Sequence, residues 1–98
     1  MEKQAVIITT NDSLATATVD LKRGDVAKMF LGKDVIEITL KEDVKFGHKF
    51  AIKDIKKGEH VIKYNESIGV ATKDISVGEH VHVHNVESDR GRGDKIHN

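Results

Sequence analysis

The chain has 98 residues, which suffices for one compact domain and leaves no room for two separate cores. Lysine plus arginine equals aspartate plus glutamate at 16 each, which argues against a general nucleic-acid binder because such proteins carry a basic excess. There is no cysteine to form disulfides, and no apolar run approaches the roughly 20 residues of a membrane span. These features predict a cytoplasmic domain without membrane contacts, whose neutral charge balance favours a protein partner or a homo-oligomer.

Short segments separated by glycines follow one another along the chain. With four aromatic residues in total, the core must be built from Val, Ile, Leu and Ala, and β-branched side chains favour strands. Residues 11–17 begin with a possible helix N-cap, but we interpret them as a turn that leads into a strand. Apolar residues alternate in part over 35–40 and 61–64, and no segment sustains a helical period for three turns. The sequence predicts an all-β domain.

An internal repeat is the strongest pattern in the chain. Residues 51–64 (AIKDIKKGEHVIKY) and 71–84 (ATKDISVGEHVHVH) share eight identical positions at an offset of 20, and residues 17–25 (ATVDLKRGD) form a weaker third copy. In each copy we expect Ala and Ile to point inward and Asp and Gly to shape a turn before a strand. Two copies packed about a local pseudo-two-fold axis would share one core.

The repeated turn, Ala-x-x-Asp-Ile-x-x-Gly-Glu, resembles the SAF domain, named for sialate synthase, antifreeze protein and flagellar chaperone. That resemblance implies a β-clip fold of short, bent strands with little helix. Phe46-Gly47-His48-Lys49-Phe50-Ala51 and Gly78-Glu79-His80-Val81-His82-Val83-His84-Asn85 are more specific, and they resemble the small region of altronate and galactarate dehydratases. One departure is Asn65, where the family pattern has glycine, although asparagine tolerates a positive φ.

The resemblance implies a partner and a cofactor. In that family the small region works with a larger catalytic polypeptide, which removes water from a hexonate such as altronate and uses a divalent metal, typically iron or manganese. Residues 1–88 would be the SAF domain, and residues 89–98 a flexible tail or linker toward that partner. The chain would then be a non-autonomous part of a hydro-lyase, inactive alone, with the metal held mainly by the partner.

Histidines dominate the candidate site. His80, His82 and His84 alternate with valines, so in a strand they would share one face and the valines would fill the core behind them. Imidazole suits both transition metals and proton transfer, so His82 and His84 are candidate catalytic and metal-binding residues. His80 has a twin in the repeat, His60, and is therefore expected to be architectural. His48 lies in a glycine turn whose rim could face the same site, and it is the third candidate catalytic residue.

Other polar residues are candidates for substrate binding. Arg90 and Arg92, separated by glycine, could bind a carboxylate bidentately or dock on a partner protein. Asn85 could donate a hydrogen bond to a substrate hydroxyl or cap the following turn, and Lys49 could bind a carboxylate.

Two alternatives to the hexonate dehydratase remain open. One is the small subunit of sulfolactate sulfo-lyase, in which sulfite leaves instead of water. The other is a non-catalytic SAF module that binds carbohydrate or protein, since this fold does not imply catalysis.

Overall fold

The computed structural model describes residues 4–88, and these residues contain nine strands and no helix. The predicted all-β class is confirmed. The strands are β1 (Ala5–Val6), β2 (Leu14–Ala17), β3 (Val26–Leu31), β4 (Asp34–Thr39), β5 (Lys49–Ala51), β6 (His60–Lys63), β7 (Glu66–Ala71), β8 (His80–Val81) and β9 (Val86–Ser88). They form three antiparallel sheets in the orders β1-β2-β5-β8, β3-β4 and β6-β7-β9.

The four-stranded sheet separates two apolar clusters. Phe50, paired with Ala15 across β2 and β5, packs with Met29 and Leu40 on one face. Ala51 and its partner Leu14 pack with the other cluster on the opposite face, because successive side chains of a strand alternate in direction. The two copies of the repeat, residues 51–64 and 71–84, share the second cluster, as expected of a common core, while neighbouring residues of β2 and β5 also reach the first cluster.

The turn at the centre of the repeat occurs four times in the structure, once more than the sequence repeat indicated. Four six-residue turn units have the form Asp-x-x-x-Gly-x, and they occupy residues 20–25, 43–48, 54–59 and 74–79. In each, the second residue is buried and the glycine has a positive φ between 84° and 93°. The unit at 43–48 was missed because it ends in histidine rather than in an acidic residue; the Asp43-to-Gly47 spacing was the available signal.

The four turn units form two pairs, and each pair has the predicted local two-fold arrangement. Ile55 and Ile75 form an antiparallel bridge between the third and fourth units, and the first and second units form the same bridge. The aspartate at the start of each unit accepts a hydrogen bond from a backbone N–H of its partner unit: Asp54 from Val77, and Asp74 from Lys57. Asp20 and Asp43 make the equivalent bonds to Phe46 and Arg23. The aspartates therefore join the two copies, whereas we expected them to shape their own turns.

The last residue of the turn unit closes its own turn. The carboxylates of Asp25, Glu59 and Glu79 each accept a hydrogen bond from the backbone N–H three residues earlier. His48 occupies this position in the second unit. A carboxylate cap of this kind stabilises a turn because it satisfies a donor that the chain leaves unpaired.

Two local predictions about turns are confirmed. Residues 10–11 form a turn and Leu14–Ala17 form a strand, as predicted for a turn that leads into a strand over residues 11–17. The hairpin between β6 and β7 turns at Tyr64 and Asn65, with φ of 55° and 62°, so asparagine does adopt the conformation expected in place of glycine.

Candidate functional site

Four imidazole rings meet where the start of β5 lies beside β8. The pairing of Phe50 with His80 places His48, just before β5, next to β8. The ring of His48 stacks on those of His80 and His82, with centroids 5.2 and 5.5 Å apart. His80 also lies 5.6 Å from both His82 and His84. We call these four residues the histidine cluster, and His80 contacts each of the other three.

A hydrogen bond fixes the pair of rings at the centre of the cluster. Nδ1 of His48 and Nε2 of His80 are 3.0 Å apart, so one ring donates and the other accepts. The backbone N–H of His80 donates to the carboxylate of Glu42, at 2.8 Å. His60, its twin in the repeat, instead pairs with the hydroxyl of Ser67. His80 is therefore not merely a copy of His60, since its ring has a different partner and lies in the cluster.

Burial and the neighbouring histidines both lower the pKa of His80. Partial burial lowers the pKa of its imidazole below the ordinary value of 6.5, and the neighbouring His48, His84 and His82 lower it further. The Glu42 carboxylate acts in the opposite direction but does not outweigh them. The lowered pKa favours the neutral imidazole, which is the form that can both donate and accept a hydrogen bond.

The predicted strand over residues 80–84 ends early. Strand β8 stops at Val81, and residues 83–85 form a turn in which the N–H groups of Asn85 and Val86 donate to the carbonyl of His82. Val81 is buried as expected, but Val83 is 81% exposed instead of filling the core. The turn still brings the three histidines together, because it folds His82 and His84 back over His80.

Asn85 explains why the strand ends where it does. Its side chain is buried, with Oδ1 accepting the N–H of His82 at 3.0 Å and Nδ2 donating to the carbonyl of His80 at 2.9 Å. Both ends of the amide are thus used by the backbone of the histidine turn. The side chain has the capping role that was the alternative to substrate binding.

A groove of about 280 Å³ adjoins the cluster on the other side of the sheet. His82 belongs to both, since it stacks on His48 and also lines the groove. The remaining lining residues are Lys49, Ile68, Val81, Val83, Val86 and Ser88. An imidazole cluster beside a partly apolar groove that carries one ammonium group can position an acid and exchange protons with it.

Comparison with known proteins identifies the family of the chain. The family model of the altronate/galactarate dehydratase SAF domain matches residues 3–89, which include the whole histidine cluster. The chain is a SAF domain of this family. It is 43% identical over 86 residues to altronate dehydratase from Escherichia coli (strain K12) and 36% identical over 87 residues to altronate dehydratase from Bacillus subtilis (strain 168). These alignments cover 88% and 89% of this chain but 17% of each dehydratase, so the chain spans about a sixth of their length.

A relative with a different name matches about half of the chain. The chain is 49% identical over 53 residues to the (2R)-sulfolactate sulfo-lyase subunit alpha from Paracoccus pantotrophus, covering 54% of this chain and 79% of that subunit. Segments similar to this chain therefore make up a small part of the long dehydratases and most of this short subunit.

The cluster does not form a metal site by itself. Within residues 4–88, no group of three or more His, Cys, Asp or Glu side chains is arranged to hold a metal ion. One nitrogen each of His48 and His80 is directed at the other ring. The described residues thus do not hold the implied metal alone, and His82 and His84 could supply only part of its coordination.

The predictions for Arg90, Arg92 and the tail 89–98 fall outside the described residues. No helix in the part of the chain that is described is long and apolar enough to cross a membrane.

Proposed function

We propose that this SAF domain contributes its histidine cluster to the active site of a hexonate dehydratase of the altronate type. A larger catalytic polypeptide, as a partner subunit or as the rest of one chain, would supply most of the remaining groups. Any iron or manganese ion would then have its ligands mainly on that polypeptide, because the described residues of this domain contain no group of three such ligands. The substrate would be a sugar acid, and the reaction the loss of water from it.

One observation carries the proposal: His48 stands where the other three turn units have a capping carboxylate. A turn that needs this cap loses a hydrogen bond when histidine replaces the acid, at a net cost of about 0.5–1.5 kcal/mol. The imidazole instead bonds to His80 and stacks on His82. Residues that break a local structural rule are commonly found at functional sites, since function is what outweighs the loss.

The chemistry of dehydration needs what the cluster offers. A base removes the proton next to the carboxylate, and an acid protonates the departing hydroxyl, so the reaction produces a 2-keto-3-deoxy acid after the enol rearranges. His82 and His84 are exposed and can reach a substrate, whereas His80 and His48 are half-buried and hold the rings in place. We assign proton transfer to His82 or His84, and orientation to the His48–His80 pair.

The relationship to a sulfo-lyase subunit supports a second candidate. The matched segment contains 53 residues and covers most of that short subunit, so this chain could serve a sulfonate instead of a hexonate. The initial step, proton removal beside the carboxylate, would be unchanged, and sulfite would depart in place of water. Offering both substrates to the assembled enzyme and measuring keto acid and sulfite separately distinguishes the two.

The experiment uses the substitution His48→Glu, which restores the acid found in the other turn units. A chimera in which residues 3–89 replace the matching segment of the Escherichia coli altronate dehydratase provides the assay. We expect His48→Glu to keep or raise the melting temperature of the domain and to lower altronate turnover at least tenfold. His60→Gln, the twin position outside the cluster, should leave turnover unchanged. Full activity of the His48→Glu chimera, or equal losses in the two variants, would remove the cluster from the mechanism and favour a non-catalytic binding module.

A further inference from the structure

The groove beside the cluster is an opening in the apolar layer on one face of the central sheet. Lys49 and its cross-strand partner Val81 lie on this face, opposite to Phe50. Ile68 and Val86 pack against the buried residues beneath and form the floor of the groove. At about 280 Å³ it lies close to the lower end of the range for small-molecule pockets, about 300 Å³.

The charges that line the groove are of one sign. Lys49 is half-buried there, and no acidic side chain is among the lining residues in the described part of the chain. This is notable in a chain with as many acidic as basic residues, where most turn lysines are exposed and have aspartates or glutamates nearby in sequence. An ammonium group held against apolar walls is stabilised by an anion, and a carboxylate provides charge-assisted hydrogen bonds.

We propose that this groove is the carboxylate-binding subsite of the SAF domain, and that it binds small organic acids through Lys49. The acid group lies against the Lys49 ammonium, and the carbon chain extends past Val81 and His82. Because His82 also belongs to the histidine cluster, an acid anchored at Lys49 has its next carbons beside the imidazoles. This inference deepens the proposed function and rests on it for the identity of the natural ligand, but the binding itself is measurable without turnover.

Methyl NMR of the 98-residue chain tests the subsite directly. D-gluconate serves as the acidic probe, and D-glucitol, which has the same carbon chain without the carboxylate, as the neutral control, both at constant ionic strength. We expect gluconate to shift the methyl signals of Ile68, Val81 and Val86 in a saturable manner. Glucitol should need at least a tenfold higher concentration for the same shifts.

Variants of two lysines separate a site from general attraction to positive charge. Lys49→Met keeps the apolar stem and removes the ammonium, and it should weaken gluconate binding at least tenfold, whereas Lys49→Arg should retain most of it. Lys45→Met removes an exposed lysine of the preceding turn, outside the groove, and should change nothing. Unchanged gluconate binding by Lys49→Met, or equal shifts with glucitol, would overturn the proposal.

Turnover in the chimera distinguishes failure of the subsite from failure of the proposed function. Lys49→Met should raise KM for altronate at least tenfold with a smaller change in kcat, whereas His48→Glu should lower kcat. If His48→Glu abolishes turnover but Lys49→Met changes neither KM nor gluconate binding, the dehydratase function stands and the subsite falls. If gluconate binds through Lys49 but the histidine variants remain fully active, the subsite stands and the catalytic role of the cluster falls.

Discussion

Asp12 is a buried carboxylate that ties two distant turns together. It accepts hydrogen bonds from the backbone of Ile8 and Thr9, from the Thr9 hydroxyl, and from the backbone of Asn65 in the β6–β7 hairpin. Burial alone would raise its pKa, but the hydrogen bonds from Asn65, Thr9 and Ile8 outweigh that effect and hold the pKa below the ordinary value of 3.8. The ionised form is therefore part of the folded structure.

Acid should weaken the fold through this residue. Because the folded-state pKa of Asp12 lies below the unfolded value, its contribution to stability is complete above about pH 4 and is lost as the pH falls through the folded pKa. We expect Asp12→Asn to lower the free energy of unfolding by about 1–3 kcal/mol at pH 7. The reason is that the NH₂ group of asparagine would face backbone N–H donors where a carboxylate oxygen accepts their hydrogen bonds. Urea unfolding between pH 7 and pH 2 measures this: the difference between the two proteins should shrink at low pH, and a constant difference would contradict the assignment.

The pKa of His80 should depend on the neighbouring histidines. The pKa of His80 in the folded protein lies below 6.5, so the imidazole becomes protonated at a higher pH in the unfolded chain than in the folded one. The stability that His80 contributes therefore falls as the pH drops below about 6.5. His48→Gln removes one of the imidazoles that lower the pKa of His80 and should therefore raise that pKa, which ¹H–¹⁵N spectra of the imidazole report. A His80 pKa that stays the same in His48→Gln would show that the contact between the two rings is not maintained in solution.

The turn units provide a matched comparison at the level of the element. Gly58 and Gly78 occupy the same position with φ of 90° and 91°, so alanine is strained at both, by about 1–2 kcal/mol. A Cβ at Gly58 would meet no atom within 4 Å, whereas one at Gly78 would collide with the backbone oxygen of Thr39. We expect Gly78→Ala to destabilise the domain clearly more than Gly58→Ala in urea unfolding. Equal losses of unfolding free energy in the two variants would mean that the positive φ alone, and not the close approach of β4, explains the need for glycine at Gly78.

The same elements show how far local sequence information reaches. The β-branched composition and the glycine spacing predicted an all-β domain, and the repeat predicted a pair of turns related by a local two-fold axis, because each depends on residues close in sequence. The end of β8 was not predictable in this way, since it depends on Asn85 turning back to bond the backbone of His80 and His82. A strand pattern in the sequence carries no information on such a bond.

Contacts between distant segments account for what was missed in the site. His48 meets His80 because β5 pairs with β8, a pairing across 32 residues that no local pattern specifies. Identity with His60 in the repeat gave no information on the ring partner of His80, which is His48 rather than a hydroxyl group. His48 was a candidate because of its glycine turn, and comparing the four turn units position by position adds that it is the single departure from an acidic last residue.

On the scale of the whole molecule, the proposed function has the SAF domain present one side of a site and leave the other side to a partner. His82 and His84 are exposed, Val83 beside them is 81% exposed, and Phe46, two residues before His48, is 68% exposed. Apolar side chains this exposed around a polar cluster are typical of a surface that another protein covers. Without that cover, water would surround the imidazoles, and neither a dry pocket nor the metal that the family implies would be in place.

The 98-residue chain should accordingly show no turnover of altronate by itself and gain it only with the rest of a dehydratase. We expect its activity to stay at the buffer background even with added iron or manganese, because the described residues offer no group of three metal ligands. In the chimera, Phe46→Ser and Val83→Ser should reduce activity severalfold while leaving the melting temperature within a few degrees, since exposed side chains contribute little to the fold. Turnover by the isolated chain would overturn this division of the active site, and full activity of both serine variants would place the partner's contact elsewhere on the domain.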